Sequence, residues 1–367
     1  MTEIEELFQV CLEKNFPFAA FQFPGENAYH YTIQLSSAQK LDLGDDITTK
    51  SGFVFAPFKE KEFCPALIIR SDIQGMQDEC VTEYLDKIRN SPAAAIQYHG
   101  LTLAHEASQQ EYMTNVASIR DRIRRGDFRK GILSRVIVRQ RVGRLTDIFR
   151  MMCRKYHYSF ISMVNIPGLG CWIGASPELL FKKNKQDITL VALAGTQART
   201  EESTSTVKWD EKEIIEQEIV TDYLKNLLHD FDIHQFQQDG PETVQAGAVL
   251  HLKTIFTIPE SGLSERAGAF INKLHPTPAV WGQPKTDALN IINKLEGYER
   301  EYYAGYLGPV VQNGNAELYV NLRTMKAIDD KLMIYVGSGI TVDSIPINEW
   351  EETCMKAMTL QSIINKQ

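Results

Sequence analysis

The order of strand-like and helical segments is the feature that most restricts the fold of this 367-residue chain. Strand-like segments come in groups between residues 128 and 340, and only a few helical segments separate them. A doubly wound parallel sheet requires regular alternation of strand and helix, which is absent. The pattern therefore predicts an α/β (α+β) fold with a large, mainly antiparallel sheet.

Two local predictions accompany this fold class. Residues 1–100 mix short apolar runs with Gly, Pro and Asp, which predicts short strands and loops without chemistry of their own. Near the C-terminal end, the segment AELYVNLRTMKAI is strand-like throughout and is predicted as one strand of a consecutive group of three.

Composition and charge are those of a globular chain and exclude several classes of function. Hydrophobic residues make up 43% of the chain, and charged residues make up 23%. The net charge of −8 argues against nucleic acid as the main partner, because phosphate binding needs a basic surface. No apolar run reaches the roughly 18 residues that span a bilayer. The acidic N-terminus lacks the pattern of a signal peptide, so we expect a cytoplasmic protein with no membrane partner.

Neither the cysteines nor the glycines form a zinc or dinucleotide motif. The six cysteines are scattered, without a C-x-x-C pair and without zinc spacing to a histidine, so we expect reduced packing residues. The segment GLGCWIG has the wrong glycine spacing for a dinucleotide loop, and a strand-like segment follows it instead of a helix.

A predicted helix over residues 211–228 carries two glutamates on the face that should be buried. At about 100° per residue, Glu216 lies within about 40° of the apolar stripe, and Glu213 lies about 60° from Glu216 near its edge. The stripe consists of Val220, Tyr223 and Leu227. Burying a carboxylate without a partner costs several kcal/mol, so this face requires a compensating positive charge.

The predicted C-terminal helix repeats this arrangement. Glu349 and Glu352 share one face with Lys356 and with apolar residues further along the helix. Four inward carboxylates without a histidine or cysteine form the donor set of a hard cation, which favours Mg²⁺ over zinc. Because E-x-x-E pairs are also common on solvated helices, the two helices alone leave both interpretations open.

Nine short motifs follow one another from about residue 111 to the C-terminus. They are GDFRKGILSR, IGASPELLF, ALAGTQAR, EQEIVTD, LHPTPAVWGQPK, YEREYYAGYLGPV, LYVNLRTM, YVGSGI and NEWEETCMK. In this order they resemble the chorismate-utilising family, which includes isochorismate, salicylate, anthranilate and aminodeoxychorismate synthases. The resemblance implies the chorismate-binding fold, a large antiparallel β-sheet sandwich flanked by helices. Residues 1–367 would form one enzyme domain, with a variable part over 1–105 and the catalytic motifs over 106–367.

The resemblance also implies which residues bind the metal ion and the substrate. Glu216 and Glu352 match glutamates that bind Mg²⁺, whereas Glu213 and Glu349 match outer carboxylates that act through water. Chorismate carries two carboxylates, and the residues that match positions holding or flanking them are Tyr303, Arg323 and Lys356. The residues that match positions around the ring are Gly195, Thr196, His251, Gly337 and Gly339. For His251, a hydrogen-bonded core histidine is an equally open interpretation.

Two further matches imply the chemistry. Glu178 matches the general acid that protonates the departing 4-hydroxyl group, a role that requires a raised pKa. Lys130 matches the base that activates water in isochorismate and salicylate synthases, whereas ammonia-using members usually carry glutamine there. A lysine acts as a base only when it is neutral. Without the resemblance, Lys130 would be interpreted as a surface residue at the head of a strand, and Glu178 as a strand-edge residue.

Two alanines favour one member of the family. Ala194 stands where aminodeoxychorismate synthases typically have a nucleophilic lysine, and Ala279 stands where pyruvate-eliminating relatives usually have threonine. We therefore expect a monomeric, Mg²⁺-dependent isochorismate synthase that interconverts chorismate and isochorismate in menaquinone or siderophore biosynthesis. The alternatives are a salicylate synthase, an ammonia-using anthranilate or aminodeoxychorismate synthase subunit, and a catalytically silent binding protein.

Overall fold

The computed structural model describes residues 2–42, 47–77, 79–96, 103–198, 207–246, 249–311 and 314–365. Within these ranges the chain forms two nine-stranded antiparallel sheets and eight α-helices, which confirms the predicted fold class. The helices are α1 (Glu3–Glu13), α2 (Thr82–Asn90), α3 (Gln109–Arg124), α4 (Leu145–Lys155), α5 (Glu211–Asp230), α6 (Ala267–Leu274), α7 (Lys285–Glu296) and α8 (Pro346–Ile364). None of these helices is both long enough and apolar enough to cross a membrane.

The first sheet contains the strand that begins with Lys130. In spatial order its strands are β14 (Gly282–Gln283), β7 (Lys130–Gln140), β18 (Lys331–Ile340), β17 (Thr324–Ile328), β9 (Gly170–Ser176), β8 (Phe160–Ile166), β1 (Phe18–Gln22), β2 (His30–Ile33) and β6 (Ile73–Met76).

The second sheet faces the first. In spatial order its strands are β12 (Gln237–Ala246), β13 (Val249–Pro259), β11 (Asp187–Ala198), β10 (Leu179–Lys183), β16 (Asn315–Val320), β15 (Tyr306–Val311), β4 (Gly52–Ala56), β5 (Leu67–Ile69) and β3 (Gln39–Lys40). Strands from the first hundred residues complete one end of each sheet, so this part of the chain is integral to both.

Apolar side chains from both sheets pack into one core. Phe160 of β8 stacks on Tyr319 of β16 with ring centroids 4.2 Å apart. Phe21 of β1 lies 5.1 Å from Phe53 of β4, again measured between ring centroids. Helices α3, α5, α6 and α7 add apolar residues to this core. Helices α1, α2, α4 and α8 form a second core against the first sheet.

The two glutamate-bearing helices occur where periodicity predicts them. The predicted helix over 211–228 is α5, and the C-terminal one is α8. Glu213, Glu216 and Glu349 are buried. The inward orientation of these carboxylates is therefore confirmed, and the alternative of fully solvated helix faces is wrong.

Two local predictions are wrong. The first hundred residues contain α1 and α2 in addition to strands. The segment AELYVNLRTMKAI divides into β16 in the second sheet and β17 in the first. The chain crosses between the sheets at 321–323, where Arg323 has a left-handed φ of +47°. The core lies between the two sheets, so the pattern of apolar residues continues from β16 into β17. The sequence therefore shows no sign that the strand ends at the crossover.

Candidate active site

One cavity brings together nearly all the residues that the sequence singles out. The predicted residues that line it are Lys130, Glu178, Gly195, Thr196, Glu216, His251, Ala279, Tyr303, Arg323, Gly337, Gly339, Glu352 and Lys356. Both sheets contribute, as do α5 and α8. Glu213 and Glu349 do not line this cavity, but each contacts Lys212, which also contacts Glu216.

Lys130 is fully buried at the start of β7, where only 1% of its surface is exposed. Its Nζ lies 3.2 Å from Oε2 of Glu216 on α5. The interpretation of Lys130 as a surface residue is therefore wrong. Strand β14 approaches β7 at this point, and Gly282 adopts a φ of +122°. A Cβ atom at Gly282 would lie 2.3 Å from the carbonyl oxygen of Lys130, so the approach requires glycine.

Glu178 is buried at the turn between β9 and β10. Its backbone is held at both ends, since its N–H donates to Ser176 Oγ and its carbonyl accepts from the N–H of Val320. Burial raises the pKa of Glu178 to about 8, although Lys130 and Lys356 oppose the shift. This carboxyl group therefore carries a proton at neutral pH and can donate it.

The carboxylates of α5 and α8 converge around a lysine that sequence reasoning missed. Lys212 Nζ lies 2.9 Å from Glu349 Oε1, 3.6 Å from Glu216 Oε1 and 3.9 Å from Glu213 Oε1. Glu352 is paired separately, with Lys356 Nζ at 2.7 Å. The sequence position of Lys212 could have revealed this contact, because Lys212 lies one helical turn before Glu216 on the same face of α5.

The charges in this carboxylate cluster are incompletely balanced. Burial opposes ionisation of Glu216, but Lys130 and Lys212 outweigh it and hold the pKa of Glu216 below its ordinary value. Burial raises the pKa of Glu213 and of Glu349, and the charge of Glu352 adds to the effect at Glu349. Oε2 of Glu213 and Oε2 of Glu349 are buried without a hydrogen-bond partner. These two oxygens could therefore accept a further positively charged partner.

The chemistry of the cluster fits a hard divalent cation, because its donors are carboxylate oxygens and two of them are unpaired. In the described ranges, no three His, Cys, Asp or Glu side chains are arranged to share one metal ion. The carboxylates are instead turned towards the ammonium groups of Lys130, Lys212 and Lys356. Metal binding at Glu216 and Glu352 would therefore require these carboxylates to exchange their lysine partners.

The other side of the cavity is positively charged. Burial lowers the pKa of Arg323 to about 10, which leaves its guanidinium positive at neutral pH. Arg323 Nη2 lies 3.1 Å from His251 Nε2, and His251 Nδ1 lies 2.8 Å from the carbonyl oxygen of Gly195. Lys356 Nζ also donates to the carbonyl oxygen of Gly337 at 3.0 Å. Such a surface can receive the carboxylates of a small anion.

Arg300 is a second residue whose role the sequence did not reveal, although it lies within the YEREYYAGYLGPV motif. It lines the cavity and is buried. Its guanidinium donates to the carbonyl oxygens of Ile132 and Val280, each at 2.7 Å, and it pairs with the buried carboxylate of Glu296. Arg300 thereby ties β7 to the segment that contains Ala279.

Comparison with known proteins identifies a matching family model that spans the site, and several relatives. A family model described as chorismate binding enzyme matches residues 67–365. The isochorismate synthase EntC of Escherichia coli (strain K12) is 31% identical over 200 residues, which are 53% of this chain and 51% of that protein. The isochorismate synthase MenF of Bacillus subtilis (strain 168) is 27% identical over 274 residues, or 72% and 57% of the two chains. The chain spans about half the length of these curated relatives.

The fold is shared with a solved protein. The crystal structure of a putative 2,3-dihydroxybenzoate-specific isochorismate synthase, DhbC from Bacillus anthracis, superposes with a TM-score of 0.78. The superposition covers 98% of this chain and 100% of that chain, at 20% sequence identity. The predicted antiparallel sandwich is thus the fold of a solved structure as well.

Proposed function

This chain belongs to the family of chorismate-binding enzymes, and we propose that it is an isochorismate synthase that interconverts chorismate and isochorismate. The proposal is carried by one observation, the presence in a single cavity of buried Lys130 and of Glu178 with a pKa of about 8. They supply a base for water and an acid for the departing hydroxyl group. The product would serve menaquinone or siderophore biosynthesis.

In the proposed reaction, Lys130 accepts a proton from a water molecule whose oxygen attacks C2 of the ring. The ring double bonds shift, and the bond between C4 and its hydroxyl oxygen breaks. Glu178 gives its proton to that oxygen, which leaves as water. One water molecule enters and one leaves, so the reaction is a reversible isomerisation. Lys130 must be neutral when it accepts the proton, so it first gives up the proton that it holds in its ion pair with Glu216.

Substrate binding would use the positive side of the cavity. Arg323 and Lys356 would receive the carboxylates of chorismate, with Tyr303 beside them. We assign Mg²⁺ to Glu216 and Glu352, where the ion would supply positive charge to a substrate carboxylate. Glu213 and Glu349 would act on it from outside through water.

Three side chains favour water as the nucleophile and isochorismate as the final product. Lys130, Ala194 and Ala279 all line the cavity. An amine at position 130 can take a proton from water. Ala194 has no nucleophilic atom with which to form a covalent intermediate, and Ala279 has no hydroxyl group. These features support an enzyme that neither aminates the ring nor eliminates pyruvate.

Replacing Lys130 with alanine is expected to lower kcat by about 10²- to 10⁴-fold, because the base is lost. Chromatography of reactions with chorismate and Mg²⁺ measures this effect. Lys183→Ala is the matched control, since Lys183 is also buried beside a carboxylate, Glu260, but lies outside the cavity. Near-normal turnover of Lys130→Ala would contradict the base assignment, and salicylate or an aminated product would contradict the assigned reaction.

The activity is expected to stop rising by about pH 8, where Glu178 loses the proton that it must donate, and to fall once Lys130 is neutral as well. Glu178→Gln should be inactive at every pH. Its folding is checked by thermal melting. Since the carboxyl group ionises near 4.5 in the unfolded chain but near 8 in the folded one, the wild type loses stability between these pH values. Glu178→Gln lacks this loss and should melt higher than the wild type at pH 8. A kcat that still rises above pH 9 would contradict the assignment.

Calorimetric titration with Mg²⁺ tests the metal assignment. Glu352→Gln is expected to weaken binding by about tenfold or more, because a charged ligand is lost. Glu351→Gln, on the exposed face of α8, should leave the affinity unchanged. Lys212→Met should strengthen binding, since its ammonium competes for the same carboxylates. Equal Mg²⁺ affinity of Glu352→Gln and the wild type would exclude this site.

A further inference from the structure

The imidazole of His251 lies between two groups whose hydrogen-bonding roles are fixed. Its Nδ1 is 2.8 Å from the carbonyl oxygen of Gly195, and its Nε2 is 3.1 Å from Nη2 of Arg323. Thr196 Oγ1 lies further from Nδ1, at 3.4 Å. His251 itself is buried on β13 and lines the cavity.

These two partners determine which ring nitrogen carries the proton. A carbonyl oxygen only accepts hydrogen bonds, so Nδ1 must be the donor to Gly195. A guanidinium only donates, so Nε2 must be the unprotonated acceptor from Arg323. A proton on Nε2 would oppose two donors at 3.1 Å and place a second positive charge beside Arg323. The geometry is therefore that of a neutral imidazole with its proton on Nδ1.

This geometry leaves His251 without a free site for proton transfer. The lone pair of Nε2 is used by Arg323, and the proton on Nδ1 is used by Gly195. The electrostatics agree, because burial and the charge of Arg323 lower the pKa of His251 to about 3. A group in this state is neither an acid nor a base near neutral pH.

We propose that His251 is a positioning residue, which orients the guanidinium of Arg323 towards the substrate carboxylate through Nε2. The inference rests on the proposed function, since it needs a carboxylate substrate at Arg323. It replaces the two earlier interpretations, a residue that contacts the substrate ring and a core histidine without a role in the site.

Arg323 needs such a partner because of its place in the fold. It lies at the crossover between β16 and β17, where the chain leaves one sheet for the other with a φ of +47°. His251 belongs to the second sheet and to a strand far from the crossover in sequence. Its hydrogen bond thus ties the side chain of a crossover residue to the rigid interior of a sheet.

The test compares two substitutions that differ in the acceptor. His251→Leu removes the acceptor, whereas His251→Gln keeps an amide oxygen that can accept from Arg323. Loss of a hydrogen bond to a charged group predicts a rise in KM for chorismate of about 10- to 100-fold in His251→Leu, with a smaller change in kcat. His251→Gln should restore KM to within a few-fold of the wild type. The slope of kcat against pH should be the same in all three proteins.

Several outcomes overturn the inference. If the leucine and glutamine variants lose kcat equally while KM stays constant, His251 acts in catalysis. If both variants keep the wild-type KM and kcat, it does not position Arg323. If the wild-type protein does not turn over chorismate, the proposed function itself fails, which is distinguishable because no variant is needed to see it.

Nitrogen-15 NMR of histidine-labelled wild-type protein tests the geometry without substitution of the site. We expect a histidine signal with a protonated Nδ1 and an unprotonated Nε2 that does not titrate between pH 5 and pH 8. Its absence from the His251→Gln spectrum assigns it. If the signal that disappears in His251→Gln had the opposite tautomer, or titrated in this range, the inference would be contradicted even if the leucine variant does not fold.

Discussion

The ion pair between Lys130 and Glu216 is the interaction on which the site depends. It joins β7 of the first sheet to α5, and both partners are buried. Burying either charge alone would cost several kcal/mol, so each fixes the position of the other. The same helix carries Lys212 and Glu213, and Lys212 links it to Glu349 on α8. The pair therefore fixes the position of Lys130, the proposed base, and of the carboxylate cluster relative to each other.

Burial produces a different result for each ionisable group in this cavity. It gives Glu178 a proton at neutral pH, because it disfavours the carboxylate. It removes the proton from His251, because it disfavours the imidazolium. It lowers the pKa of Arg323 only to about 10, which leaves the guanidinium charged. One cavity thus holds a proton donor in Glu178, a neutral hydrogen-bond acceptor in His251 and a cation in Arg323.

Local periodicity predicted part of the site, but not its long-range contacts. Helix geometry placed the glutamates of α5 and α8 on the apolar faces but left solvated helices as an open alternative, which the burial of Glu213 and Glu349 excludes. The resemblance to the family then predicted that Lys130 and Glu178 belong to the same site. The partnership of Lys212 with another helix and the approach of β14 to β7 depend on residues far apart in sequence. The crossover before Arg323 was hidden because both sheets share one apolar core.

The identity of the nucleophile is the central claim, and oxygen labelling tests it most directly. The protein is incubated with chorismate and Mg²⁺ in water enriched in oxygen-18, and the product is analysed by mass spectrometry. Water attack predicts isochorismate with one solvent-derived oxygen at C2, and the reverse reaction predicts labelled chorismate at C4. Unlabelled isochorismate, an aminated product when ammonia is supplied, or no conversion would contradict the account.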